Sequence, residues 1–300
     1  MEVTTFRSEG GYTDGRHPDW IHFEKSIEID LSRRDFTINA IAYNKKRGIV
    51  DPFNGLDDIK NKVVRAVGNP KDRFLEDSLR MIRAVRFFTT LSFELETNTI
   101  NTIKSLTENI KSVSSERIND ELFKILIEPN SSRGIEMLLE TGLLKHILPE
   151  IELVYEFEQG NKDFVQYILC IIDKMPNLIH IRLAALFLYK RKDQYRIDEY
   201  SVLHGVNNDN IAFKAMKRLC CSNNLIKKVI ILIKNHEIFD FPVDRTGIKR
   251  LIRNVGKSNI YDLISLLKAE AICSKNKLHE KDIIYIERVI KEIFRNREPI

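Results

Sequence analysis

A change of period near Asn69 constrains the fold of this chain more than any other feature. From Asn69 to the C-terminus, amphipathic segments of helical period follow one another across short polar joints, and no strand pattern interrupts them. The β signals and turn residues lie before it. They are the alternating Met1-Glu2-Val3-Thr4-Thr5-Phe6-Arg7, the Gly-rich stretch from Ser8 to Pro18, and Arg47-Gly48-Ile49-Val50-Asp51-Pro52. A chain that opens inside a strand is expected to lack the strands that would flank it. The predicted class is mainly α, a truncated α/β piece followed by an all-helical remainder. A length of 300 residues suits two or more small cores rather than one.

Charge narrows the possible partners only slightly. Lys and Arg total 48 against 43 Asp and Glu, a net charge of +5, which is compatible with a polyanion without requiring one. No apolar stretch approaches the ~20 residues that span a bilayer. Arg182 interrupts the longest candidate, Leu178 to Tyr189, and no signal peptide opens the chain, so no membrane role and a cytoplasmic location are expected. Cys170, Cys220, Cys221 and Cys273 have neither CxxC nor metal-ligand spacing and are expected to be reduced, buried thiols. The histidines, His146 and His236 among them, also lack ligand spacing.

Two clusters carry chemistry. A helix is predicted from Asn69-Pro70, cap and first position, to about Thr90. Asp77, Arg80, Arg83 and Arg86 step round one side of it, opposite Met81, Ile82, Val85 and Phe88. Arginines at this spacing suit a solvated face. They also suit phosphate binding, because a guanidinium is a permanently charged planar fork. Glu76-Asp77 one turn before Arg80 adds a carboxylate beside that fork, the donor-and-acceptor edge that reading a base requires. The second cluster is Arg33-Arg34-Asp35-Phe36-Thr37-Ile38-Asn39-Ala40, in which Asp35 either caps a short helix or serves a ligand.

This second cluster resembles a motif of the class II tRNA nucleotidyltransferases, the CCA-adding enzyme and poly(A) polymerase family. Asp51-Pro52-Phe53-Asn54-Gly55, Val67-Gly68-Asn69-Pro70, Arg73-Phe74-Leu75-Glu76-Asp77-Ser78-Leu79-Arg80 and Arg83-Ala84-Val85-Arg86-Phe87 follow in the family's order. Ser115-Glu116-Arg117-Ile118-Asn119-Asp120-Glu121-Leu122 resembles the segment that closes the family's neck. The resemblance implies that Asp35 reads the ribose hydroxyl and that Arg34, Arg83 and Arg86 contact the triphosphate. It also implies that Asp77 and Arg80 template the incoming ATP or CTP, with Glu76 steadying Arg80 and Arg33 in support. The stretch Tyr12 to Asp19 resembles the family's flexible loop, so Asp14, Arg16 and His17 are expected to take part in terminal A addition. Glu2 is the candidate for a third catalytic carboxylate.

On this resemblance residues 1–67 are the remnant of a nucleotidyltransferase head and 68–128 a nucleotide-reading, RNA-binding neck. Residues 129–236 are a helical body, and 237–300 a helical tail that contacts tRNA. In the body, Ile181 to Leu186 resembles the approach to an HD metal signature, but Leu188-Tyr189 stand where His-Asp would be. Lys217, Arg218, Lys227, Lys228, Lys249, Arg250 and Arg253 suit an RNA backbone. The family's glycine pair and its DxD are absent from the sequence, and Asp57-Asp58 is read as a solvated turn rather than a substitute. The complete family enzyme is expected to use Mg²⁺ held by the DxD, so no complete metal site is expected in this chain. The expected function is therefore that of a CCA-adding nucleotidyltransferase acting on the tRNA 3′ end with CTP and ATP, inactive or incomplete as the isolated chain. The alternatives are a non-catalytic tRNA- and nucleotide-binding module, half of a split enzyme completed by a separately encoded head fragment, and a poly(A) polymerase.

Overall fold

The structure, a computed structural model, describes residues 4–11, 18–151, 162–188, 208–236, 244–274 and 277–300. It is mainly α-helical and divides into two compact units, Met1–Pro149 and Glu150–Ile300.

The first unit opens with an antiparallel hairpin, β1 (Arg7–Gly10) and β2 (Trp20–Phe23), with Arg7 opposite Phe23. The opening strand therefore lies later than the alternation at Met1–Arg7 predicts, and residues 4–6 are not strand. Helix α1 (Ile27–Ser32) begins at Ser26, whose hydroxyl accepts from the Ile29 N–H. A second hairpin joins β3 (Ala42–Asn44) to β4 (Gly48–Val50), and the turn is closed by Gly48 at φ 76°. Leu31, Ala40 and Val67 form a small core, covered by Ile27, Ala42, Val50 and Phe53.

Helix α2 (Gly55–Asn61) carries Asp57 and Asp58, so the pair is helical rather than a turn, and only Asp57 is solvated. Asp58 is buried, accepting from the Thr37 hydroxyl (2.6 Å) and from Arg65 Nε (3.2 Å). Its charge is thus spent on holding α2 against the segment after Asp35. Gly55 makes that approach possible, because a Cβ there would lie 2.2 Å from the Thr37 carbonyl oxygen.

Asn69 caps α3 (Pro70–Glu76) by accepting from the Lys71 N–H, and Pro70 fills the first position. The single helix expected from Asn69 to Thr90 is two helices. The backbone turns extended at Asp77 (φ −149°, ψ 102°) and restarts as α4 (Leu79–Leu91). The Asp77 side chain stabilises the break: Oδ1 accepts from the Leu79 N–H (3.1 Å), an N-terminal donor that the restarted helix cannot satisfy itself. Beyond α4 a strand does interrupt the helices, since β6 (Glu94–Leu95) pairs in parallel with β5 (Val63–Val64).

Helices α5 (Thr97–Leu106), α6 (Ser115–Leu126), α7 (Ser131–Glu140) and α8 (Leu143–Ile147) complete the unit. Met81, Ile82, Ala84, Val85 and Phe88 of α4 are buried against α6 and α7. Gly134 sets the spacing there: a Cβ would meet Ile125 Cγ2 and Thr89 Oγ1 at 2.5 Å.

In the second unit α9 (Lys162–Lys174) packs on α14 (Ile260–Ser274), and α10 (Ile179–Leu186) packs on α12 (Asn223–Lys234) beside α11 (Asn208–Arg218). Helix α13 (Arg245–Val255) packs on the terminal α15 (Lys277–Arg295). Arg182 is fully buried, and its guanidinium donates to the Pro176 and Met175 carbonyls and to Asn177 Oδ1 (2.6 Å). The charge that breaks the apolar run in the sequence thus ties α10 to the end of α9. Cys170 and Cys273 form a disulfide joining α9 to α14, which corrects the reduced-thiol expectation for that pair. Cys221 is a buried thiol and Cys220 an exposed one. No helix of the described residues is long and apolar enough to cross a membrane.

Candidate nucleotide-binding site

The segment after α1 is fastened to the strand that leads into the neck. The Thr37 N–H donates to the Arg65 carbonyl (3.0 Å) and the Val67 N–H to the Asp35 carbonyl (3.1 Å). Phe36 is fully buried and meets the Phe87 ring edge-on, with centroids 5.5 Å apart. This anchoring sets Asp35 over α4. Arg83 donates to Asp35 Oδ2 from Nε (2.9 Å) and Nη2 (2.6 Å), while Oδ1 accepts from the Phe36 N–H and from Asn39 Nδ2 (3.0 Å). All of the acceptor sites of Asp35 are occupied, and the residue is buried.

On its other side Arg83 approaches Glu121 of α6 at 3.7 Å. Glu121 is buried, accepts from Arg86 Nε through Oε2, and accepts from Lys124 Nζ (2.9 Å) through Oε1. Burial works against its ionisation. The Lys124 hydrogen bond and the Arg86 and Arg83 charges outweigh that, and hold the carboxyl below the usual glutamate range. Arg86 also lies over the Phe87 ring, 3.9 Å from its centroid.

At the break between α3 and α4 the Arg80 N–H donates to the Asp77 carbonyl (3.0 Å). Asp77 Oδ2 accepts from Arg117 Nη2 of α6 (2.7 Å). Each Asp77 carboxylate oxygen thus has one protein partner and keeps a lone pair. Arg80 Nη1 donates to Glu76 Oε2 (2.6 Å) and to the Arg73 carbonyl (3.0 Å), and Nη2 donates to the Arg33 carbonyl (2.9 Å). Its Nε–H and one Nη2–H remain uncommitted. Glu76 also accepts from Arg73, so a carboxylate and two carbonyls fix the plane of the Arg80 guanidinium.

Arg33 and Arg34 share the buried Asp30 of α1. Arg33 donates to Oδ1 from Nε (3.1 Å) and Nη2 (2.7 Å), and Arg34 donates to Oδ2 from Nη2 (3.1 Å). Guanidinium groups outnumber carboxylates across this surface, a balance suited to a polyphosphate.

The structure brings Arg33, Arg34, Asp35, Glu76, Asp77, Arg80, Arg83 and Arg86 into one network within the first unit. Glu2, Asp14, Arg16 and His17 lie outside the described residues. Sequence reasoning assigned no role to Asp30, Arg73, Arg117 or Glu121. A signal was present for two of them, since Arg117 and Glu121 are four apart and share a face of α6, within the segment quoted for its resemblance.

The fit to a metal fails among the described residues, where no group of three or more His, Cys, Asp and Glu side chains could hold an ion. In the second unit Lys217 donates to Asn223, Arg218 pairs with Glu150 and Lys249 with Glu298. Lys227, Lys228, Arg250 and Arg253 have no acidic partner among the described residues. His236 is buried, its Nδ1 2.6 Å from the Ile233 carbonyl, and burial lowers the His146 pKa. Leu188 is buried, and Tyr189 lies outside the described residues.

A short α/β piece is thus fastened to the helices that follow it, with Asp77 and Arg80 at a helix break and further arginines beside them. The poly A polymerase head domain family matches residues 1–65, and the family described as "Probable RNA and SrmB- binding site of polymerase A" matches residues 92–154. The CCA-adding enzyme of Lactobacillus helveticus is 36% identical over 260 residues, 86% of this chain and 60% of that protein. That of Ligilactobacillus salivarius is 48% identical over 145 residues, 48% of this chain and 36% of the relative. Among solved structures, the Bacillus stearothermophilus CCA-adding enzyme in complex with CTP superposes with a TM-score of 0.66 at 25% identity, covering 97% of this chain and 64% of that one. The Thermotoga maritima CCA-adding enzyme shares the fold with a TM-score of 0.55 at 21% identity, over 87% of this chain and 61% of that one. The chain belongs to the class II CCA-adding enzyme and poly(A) polymerase family. It spans between about a third and three fifths of the length of these curated relatives.

Proposed function

We propose that this chain is the nucleotide-selecting and RNA-holding part of a CCA-adding nucleotidyltransferase, acting on the tRNA 3′ end with CTP and ATP in the cytoplasm. The observation that carries the reading lies at the α3–α4 break, where the Asp77 carboxylate keeps a spare lone pair on each oxygen and the guanidinium of Arg80, three residues on, is held in plane with two spare N–H groups. Adenine and cytosine each present an exocyclic amino donor beside a ring-nitrogen acceptor. Asp77 accepts from the first and Arg80 donates to the second. Guanine and uracil present a ring N–H and a carbonyl instead, so both contacts become mismatched. The relative solved with CTP supports the nucleotide class.

Entry of a triphosphate exchanges the partner of Arg83. A phosphate oxygen replaces Asp35 Oδ2 on the guanidinium, and the released carboxylate oxygen turns to the ribose hydroxyl. Arg34 and Arg86, which keep unpaired N–H groups, complete the phosphate grip. Lys227, Lys228, Arg250 and Arg253, free of acidic partners among the described residues, are the proposed RNA-backbone contacts.

The described residues do not fit a Mg²⁺ site, and the sequence contains no DxD, so no chemical step is assigned to this chain. Turnover is proposed to need metal-binding carboxylates beyond the described residues. The full chain titrated with each nucleoside triphosphate should bind ATP and CTP at least tenfold more tightly than GTP and UTP, roughly the discrimination of one bidentate contact; equal affinities for all four contradict the reading. Mixing with a head fragment should restore CMP and AMP incorporation into tRNA lacking its 3′ end. Incorporation of AMP alone, in long tails, would favour a poly(A) polymerase.

A further inference from the structure

Asp30 belongs to none of the motifs above, yet it is 2% exposed and accepts from three residues. Its Oδ1 accepts from Arg33 Nε and Nη2 and from the Arg7 N–H (3.3 Å), and its Oδ2 accepts only from Arg34 Nη2, at 3.1 Å. The two arginines are held unequally. Arg33 is committed on every side: Nη1 approaches Glu9 Oε1 (3.4 Å), its carbonyl accepts from Arg80, and its side chain is 19% exposed. Among the described residues Arg34 gives one side-chain bond, from Nη2, and leaves Nε and Nη1 free, and its side chain is 44% exposed.

We infer that Asp30 is a positioning residue for nucleotide binding. It fixes Nη2 of the Arg34 guanidinium, so that the remaining donors, Nε–H and Nη1–H, are preset for phosphate. The inference rests on the nucleotide-site reading above and names the residue that pre-orients its phosphate grip. An arginine oriented before the ligand arrives loses less rotamer freedom on binding. Through the Arg7 N–H and the Arg33–Glu9 pair, the same carboxylate ties β1 to that grip.

Asp30→Asn keeps the shape but places an NH₂ group toward either Arg34 Nη2 or the donors on Oδ1, removing the orienting bond. The test is a double-mutant cycle on the full chain, measuring ATP and adenosine affinity for wild type, Asp30→Asn, Arg34→Ala and the double variant. Asp30→Asn should weaken ATP binding by roughly tenfold, the size of one charge-assisted hydrogen bond. It should leave adenosine, which lacks phosphates, unchanged, and the double variant should bind ATP no worse than Arg34→Ala alone.

Unchanged or tighter ATP binding by Asp30→Asn, or penalties that add in full, overturn the inference while leaving the site reading intact. A wild-type chain that does not bind ATP overturns both. If Asp30→Asn fails to fold, side-chain NMR of the wild type decides: the Arg34 Nε–H resonance should shift with ATP and not with adenosine, and a shift at Arg33 in place of Arg34 overturns the inference.

Discussion

Glu121 shows how single residues in the network depend on one another. It is the buried anion on which Arg86, Arg83 and Lys124 converge, so its removal leaves guanidinium groups close together without their counter-charge. Breaking a buried pair from one side costs about 3 to 5 kcal/mol. Since Arg86 and Lys124 retain some exposure, the low end is expected for Glu121→Gln at neutral pH. The pH dependence follows from the direction of the pKa shift. The folded carboxyl lies below its ordinary value of 4.5, so its contribution is fully present above that value and is lost as pH falls through the lower folded one. Denaturant titrations at pH 7 and pH 3 should therefore show the gap between wild type and Glu121→Gln narrowing in acid, and a constant gap would contradict the assignment. None of this was legible from spacing alone. Arg83 and Arg86 read as one face of a helix, but their partners come from residues 48 and 35 positions away.

At the scale of elements, the break between α3 and α4 matters most. Sequence periodicity continues through Asp77 because the arginines at spacing three keep their phase, and no Gly or Pro marks the interruption. The signal that was present is an Asp directly before an apolar helical run, an N-terminal cap pattern that the arginine spacing obscured. The start of α3 was legible, since Asn69 and Pro70 state it locally. The packing of α7 on α4 and α6 was not, because Gly134 shows its importance only once Thr89 and Ile125 face it. In an isolated helix Gly134→Ala would stabilise by about 1 kcal/mol. Here the new methyl would overlap both neighbours, and overpacking costs typically 1 to 3 kcal/mol. A net loss of about 1 kcal/mol is expected in the midpoint of urea unfolding, and a gain would show that α7 stands off from α4.

Across the whole molecule, the division into a short α/β piece and a long helical remainder could be read from the sequence, because it depends only on the period of apolar residues. The Cys170–Cys273 bond could not, since two cysteines 103 residues apart carry no spacing signal. The role of Arg182 is likewise tertiary: a charge in an apolar run reads as a flaw until the carbonyls at the end of α9 appear around it. In this architecture the α/β piece and the helices that follow it form one unit, held by the Asp35–Arg83 pair, the Phe36–Phe87 contact and the bond from Arg80 to the Arg33 carbonyl. The proposed reading rests on Asp77 and Arg80 of that unit. The most direct test is isothermal titration of ATP and CTP into the full-length wild type, Asp77→Asn and Arg80→Gln, with folding checked by circular dichroism. Both variants should lose at least tenfold in affinity for each nucleotide, about 1.4 kcal/mol, when titrated below the melting transition of each. Wild-type affinity for both nucleotides in either folded variant would contradict the account.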